Sequence, residues 1–222
     1  MLYDLGSVHC FVVPDSLSAL QRTAQYWRAQ QKIRTIGVTG SIGKTTTKEA
    51  IDAVLKQQYR TLKSEGNYNN EIGLPMTLLH LGPEHERIIL EMGMYDLGEI
   101  ALLATIARPQ IGVVTNVGPS HLERLGTIER IARAKAELVE ALPAEKDGGI
   151  AILNADDERV IAMAESTQAQ IFSYGLGSRA DLRADQIESE GLEGVSFRLR
   201  HGEDSVHARV PMMGLHSVHT CL

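Results

Sequence analysis

Residues Thr39–Thr47 read Thr-Gly-Ser-Ile-Gly-Lys-Thr-Thr-Thr, between the apolar run Ile33–Val38 and a helix-like stretch, Lys48–Lys56. A strand that ends in a glycine-rich loop and feeds directly into a helix constrains the fold more than any other segment of this chain. Glycines let backbone N–H groups turn inward around an anion, and the first helical turn adds partial positive charge. Lys44 is placed to neutralise outer phosphates, and the Thr45 hydroxyl to sit on Mg²⁺. The standard Walker A spacing asks for glycine at position 38, where Val38 stands. The loop is therefore the shorter Gly40-x-x-Gly43-Lys44-Thr45 form. It predicts a nucleotide phosphate site.

From Ile33 to Tyr174 short apolar runs alternate with amphipathic segments. Strands are expected at Ile33–Thr39, Tyr59–Lys63, Arg87–Met92, Gln110–Asn116, Gly149–Leu153 and Gln170–Tyr174. Helices are expected at Thr45–Gln58, Asn70–Leu81, Gly98–Ala107, Thr127–Leu142 and Asp156–Glu165. This alternation implies an α/β fold, a mostly parallel sheet with helices on both faces. After Gly175 the texture changes to charged, short alternating pieces such as Val195–Leu199 and Val206–Val210, which read as a small antiparallel β segment. At the other end, His9–Val13 resembles an edge strand, and Ser16–Gln31 an amphipathic helix capped by Ser16.

The 222 residues carry a net charge of −6, which argues against broad nucleic-acid binding but leaves room for a local phosphate site. Cys10 and Cys221 stand at opposite ends, so neither a disulfide framework nor a cysteine metal motif is expected. The N-terminus lacks the basic region of a signal peptide, and no apolar stretch approaches the ~20 residues of a membrane span. A cytoplasmic, monomeric protein is expected.

Ligands of parallel sheets bind outside the carboxyl ends of the strands, so the residues after each run matter most. Glu91 follows Ile-Ile-Leu, where nucleotide hydrolases place an acidic Mg²⁺ ligand; the alternative is an ordinary surface glutamate. His121 could reach the same mouth, although loop histidines are commonly solvated. Asn67, Asn69 and Asn70 suit turn and cap chemistry. Lys135, in Ala-Arg-Ala-Lys-Ala-Glu-Leu, reads as a solvated helix lysine paired with a nearby glutamate.

Six segments together resemble the Mur ligase family of ATP-dependent amide-bond synthetases of peptidoglycan assembly. They are Ile36–Thr47, Gly66–Pro75 (Gly-Asn-Tyr-Asn-Asn-Glu-Ile-Gly-Leu-Pro), Glu91–Ile100, Thr115–Gly126, Ile131–Leu138 and Leu153–Asp157. The asparagine loop and Glu-Met-Gly…Gly-Glu-Ile favour the branch that adds D-alanyl-D-alanine to a UDP-N-acetylmuramoyl tripeptide, and those two compounds are the implied substrates. The resemblance further implies that Gly40, Ser41, Ile42, Gly43, Lys44, Thr45 and Thr46 hold the ATP phosphates, with Asn70 beside the γ-phosphate. Thr45 and Glu91 would bind one Mg²⁺, and His121 and Lys135 a second, Lys135 as the carbamate formed with CO₂. Lys44, Lys135 and His121 would be the catalytic residues.

Two departures accompany the resemblance. The family's Gly-x-His-Asn-x-x-Asn module, which helps to place adenine, reads Gly214-Leu215-His216-Ser217-Val218-His219-Thr220 here, without either asparagine. Family members also have domains before and after the central one. Residues 1–31 are therefore expected to be the remnant of an N-terminal UDP-sugar domain. Residues 32–222 are expected to be a central ATP-binding domain, incomplete at its C-terminal end, with the C-terminal ligase domain absent. The rival readings are a folylpolyglutamate or cyanophycin synthetase-like ligase, a P-loop kinase or switch ATPase, and a fragment that binds nucleotide without ligase activity.

Overall fold

The computed structural model describes residues 2–5, 8–120, 122–214 and 216–222. Leu2–Leu5 (β1) and Val8–Phe11 (β2) pair antiparallel as a ribbon of their own, so the expected edge strand at His9–Val13 is shorter and does not join the main sheet. Helix α1 (Ser16–Gln30) follows. Its cap is Asp15 rather than Ser16: the Asp15 carboxylate accepts from the N–H groups of Leu17 and Ser18. A carboxylate one residue earlier satisfies two orphan donors at once.

The apolar runs then become β3 (Arg34–Thr39), β4 (Thr61–Lys63), β5 (Arg87–Glu91), β6 (Ile111–Val114), β7 (Ile150–Asn154) and β8 (Gln170–Gly175). Between them lie α2 (Lys44–Leu55), α3 (Gly73–Leu79), α4 (Glu99–Ala107), α5 (Leu122–Leu125), α6 (Ile128–Glu140) and α7 (Glu158–Ile161). The helix expected at Asp156–Glu165 is split, since a 3₁₀ turn replaces its second half at Ala162–Ser166. All six strands are parallel, in spatial order β8-β7-β6-β3-β5-β4. The charged tail adds β9 (Leu182–Ser189), β10 (Val195–His201) and β11 (Asp204–Val210). These form antiparallel pairs, but β9 also joins β8 in parallel, so among the described residues one sheet of nine strands runs through both parts. Helix α8 (His216–Cys221) closes the chain, and Val218 packs with Ala184, Val195 and Phe197.

Alternation along β3 divides the core. Ile36 and Val38 point with Ile89 and Val113 toward Ile51 and Leu55 of α2. The larger core on the other face joins Leu74, Leu90, Leu103, Leu138 and Leu153 with α1, α3, α4 and α6. Gly37 and Gly112 bring α6 close to this face. A Cβ at Gly37 would meet Leu138 Cδ1 at 2.9 Å, and one at Gly112 would meet Leu142 Cδ1 at 3.1 Å. That close seat sets the depth of everything α6 carries.

Candidate nucleotide and metal site

The carboxyl ends of β3, β5 and β6 open on one crevice, where parallel sheets hold ligands. The phosphate loop leaves β3 at Gly40, whose φ is +150°; a Cβ there would meet Thr115 Oγ1 at 1.9 Å. Gly43, at φ +86°, turns the loop into α2. Only glycine accepts both demands without strain.

Residues after β6 clamp the loop from outside. Ser41 N–H donates to Asn116 O at 3.0 Å, and Ile42 N–H to Asn116 Oδ1 at 2.9 Å. Thr115 Oγ1 donates to Ile42 O at 2.7 Å, and the Ser41 hydroxyl donates to Gly118 O while accepting from its N–H. The loop is thus held by its neighbours before any ligand arrives, which lowers the ordering cost of binding.

Lys44 folds over the loop and donates to Gly40 O at 2.9 Å and Ser41 O at 3.4 Å. Burial lowers its pKa, and the nearby Glu91 charge opposes that shift. The Thr45 hydroxyl donates to Glu91 Oε2 at 2.8 Å, and Asn69 Nδ2 donates to Glu91 Oε1 at 2.9 Å. Glu91 is 2% exposed, so it is a buried carboxylate rather than a surface one. Asn70 Oδ1 accepts from the N–H groups of Ile72 and Gly73, the cap chemistry its position suggests, and the residue also lines the cavity.

Lys135 corrects the reading of a solvated helix lysine: it is 2% exposed. Among the described residues it has no hydrogen-bonding or ionic partner. The nearby Glu137 is turned away and accepts instead from the N–H groups of Gly98 and Ala101, at the start of α4. Burial, reinforced by the Lys44 charge, brings Lys135 down to about 7. Lys44, Lys135, Gly40, Asn69, Asn70 and Glu99 share the lining of one cavity of about 180 Å³. His121 lies outside the described residues.

Thr45 and Glu91 offer the hard oxygens that Mg²⁺ prefers. Among the described residues no group of three or more His, Cys, Asp or Glu could cage a metal. On the other side of the loop a cavity of about 550 Å³ is lined by Gly43, Thr46, Asn154, Asp156, Tyr174 and His219, among others. His219 Nε2 lies 2.8 Å from Asp156 Oδ2. Burial would raise the Asp156 pKa, but hydrogen bonds from the Leu176 N–H, His219 and the Gly177 N–H outweigh it and hold it below the usual carboxylate range. Ser217, at an asparagine position of the family module, donates to Gly214 O within its own turn.

Sequence reasoning passed over Lys48, which is 1% exposed beneath the Thr45–Glu91 pair. It also gave Asn69, Thr115 and Asn116 no site role. The available signal for Lys48 was its place one turn after Lys44, on the same side of α2.

The family profile described as the Mur ligase middle domain matches residues 38–221. The UDP-N-acetylmuramoyl-tripeptide–D-alanyl-D-alanine ligase of Bacillus subtilis is 42% identical over 207 residues, which cover 93% of this chain and 43% of that protein. Its Escherichia coli counterpart is 36% identical over 214 residues, 95% of this chain and 46% of that protein. Among solved structures, MurF from Acinetobacter baumannii superposes with a TM-score of 0.89 at 33% identity, over 97% of this chain and 47% of that one. MurF ligase from Thermotoga maritima, in complex with ADP, gives 0.83 at 29% identity, over 95% of this chain and 48% of that one. The chain spans a little under half the length of these curated relatives. Among the described residues no helix is long and apolar enough to cross a membrane. With the profile matched over most of its length and relatives this similar, the chain belongs to the Mur ligase family and carries that family's middle domain.

Proposed function

We propose that this chain is the ATP-binding domain of a ligase that joins D-alanyl-D-alanine to a UDP-N-acetylmuramoyl tripeptide. The observation that carries the reading is the meeting of Lys44, the Thr45–Glu91 pair and Lys135 at the carboxyl ends of β3 and β5. The printed names of the relatives supply the substrates. Residues 32–222 form this domain; of residues 1–31, assigned to the neighbouring UDP-sugar domain, α1 packs on the core of this one through Ala24 and Arg28.

A carboxylate and an amine do not condense in water. Transfer of the ATP γ-phosphoryl to the tripeptide carboxylate gives an acyl phosphate and ADP. Attack by the amine of D-alanyl-D-alanine then forms the amide and releases phosphate. The protein's share is positioning and charge neutralisation. Gly40–Thr46 cradle the phosphates, Lys44 exchanges its loop carbonyls for phosphate oxygens, and Asn70 lies beside the γ-phosphate. Thr45 and Glu91 would hold one Mg²⁺, and His121 and Lys135 a second. The metal supplies charge stabilisation for the transferring phosphoryl group.

A Lys135 pKa near 7 bears directly on its role, because only the neutral amine attacks CO₂. A protonated lysine at this depth would repel a metal, whereas a carbamate would offer it oxygens. The cavity bordered by Asp156, Tyr174 and His219 takes the nucleoside, with Thr220 standing where the family module has asparagine. The protein carrying this chain should release ADP only when both the UDP-muramoyl tripeptide and D-alanyl-D-alanine are present. Turnover with folate and glutamate instead would overturn the assignment.

A further inference from the structure

Lys48 is one of the largest side chains wholly withdrawn from solvent, and the proposed reaction gives it no task. It sits on α2 one turn after Lys44. Its Nζ donates to Ser64 O at 2.8 Å and lies 3.9 Å from Glu91 Oε2, the oxygen that also receives the Thr45 hydroxyl. Ser64, likewise fully buried, accepts from the Glu91 N–H through its hydroxyl at 3.0 Å. Lys48 and Glu91 are therefore tied to the same residue as well as to each other. The other carboxylate near Lys48 is Glu49 at 3.5 Å, which is half-exposed and also paired with Lys63.

Burying a carboxylate is costly unless a counter-charge comes with it. On its cavity side Glu91 accepts from neutral donors, Thr45 and Asn69; Lys44 is near, but its hydrogen bonds go to the Gly40 and Ser41 carbonyls, and among the described residues the cation at ion-pair distance is Lys48, on the inner side. An inner ammonium has two effects. It offsets the cost of burying a carboxylate at 2% exposure, and it cancels much of the carboxylate field at the place a divalent ion would occupy. A free Mg²⁺ then finds little net negative charge. Nucleotide phosphates restore it.

We propose that Lys48 is the positioning counter-ion of Glu91, and that it makes divalent-metal capture at Thr45 and Glu91 depend on nucleotide. The inference rests on the metal reading of Thr45 and Glu91. It predicts that the metal arrives with the phosphates rather than ahead of them.

Mn²⁺ titration followed by electron paramagnetic resonance, with and without ADP, tests it on the wild type, Lys48→Met and Lys48→Arg. The wild type should bind Mn²⁺ weakly alone and at least ten-fold more tightly with ADP. Lys48→Met should bind Mn²⁺ without nucleotide at least ten-fold more tightly than the wild type, while Lys48→Arg should stay near it. Unchanged Mn²⁺ affinity in a folded Lys48→Met protein would overturn the proposal and leave Lys48 as a tie to the Ser64 carbonyl. Failure of the wild type to bind Mn²⁺ even with ADP would instead overturn the metal reading itself. If Lys48→Met does not fold, the Lys48→Met/Glu91→Gln double variant decides. Recovery of a cooperative thermal transition shows that an unpaired Glu91 charge was the defect; no recovery overturns the proposal.

Discussion

The Thr45 hydroxyl donates a 2.8 Å hydrogen bond to the Glu91 carboxylate across 46 residues of sequence. One group begins α2 and the other ends β5, and β3 and β5 are parallel neighbours. The phosphate loop and the acidic strand end are therefore joined before a ligand is present.

Glu91→Gln keeps the shape of this contact and removes its charge. The variant should fold, bind ATP in EDTA about as well as the wild type, and lose most of the strengthening that Mg²⁺ gives. Calorimetric titration with and without Mg²⁺ would show it. Equal Mg²⁺ enhancement in both proteins would remove Glu91 from the metal site.

Lys44 spends its hydrogen bonds on loop carbonyls rather than on the core. Lys44→Ala should leave thermal unfolding nearly unchanged and weaken ATP binding at least ten-fold, or about 1.4 kcal/mol. Unchanged affinity in a folded variant would exclude Lys44 from the phosphate site.

Lys135 should leave a signature in stability against pH. Its folded pKa, about 7, lies below the unfolded value of 10.5. Between those values the unfolded chain holds a proton that the folded chain has released, so stability rises with pH across the window. The contribution is complete above 10.5 and is lost as pH falls toward 7. In EDTA and carbonate-free buffer, the melting temperature of the wild type should rise relative to that of Lys135→Met between pH 7 and pH 10. A constant difference across that range would show that the lysine is not held neutral.

Lys135→Arg keeps a positive charge but cannot form a carbamate. Ligase turnover by the protein carrying this chain should fall below detection, with ATP still bound through Lys44 and Thr45. Near-normal turnover would reduce the residue to packing.

Gly37→Val would push against Leu138 and Met92 and lift α6 from the sheet. A loss of about 1–3 kcal/mol is expected in chemical denaturation, as for other overpacked cores. Because α6 carries Lys135, the variant should also shift that residue's pKa upward, toward the solvated value. An unshifted pKa would mean that the depth of α6 does not set it.

The sequence alone determined the alternation of strand and helix, the phosphate loop and the candidate acid at the end of β5. These depend on local periodicity and on glycine's freedom, which are written in neighbouring residues. Lys135 was partly legible too. Positions 131, 135, 138 and 142 fall on one helical face, and Ile131, Leu138 and Leu142 are all apolar, so the spacing already pointed it inward. Against that spacing stands the ordinary behaviour of a helix lysine beside a glutamate, solvated and paired, which is the reading given above. Other features had no local signal. The capping of α1 by Asp15 turned on a single residue's geometry, and the joining of β9 to β8 needed a partner strand to be known. The burial of Lys48 against Glu91 brings together residues 43 positions apart, through strand pairing and the seat of α2 on the sheet. Only tertiary structure decides such pairs, because desolvation and charge pairing depend on what the rest of the chain places around a side chain.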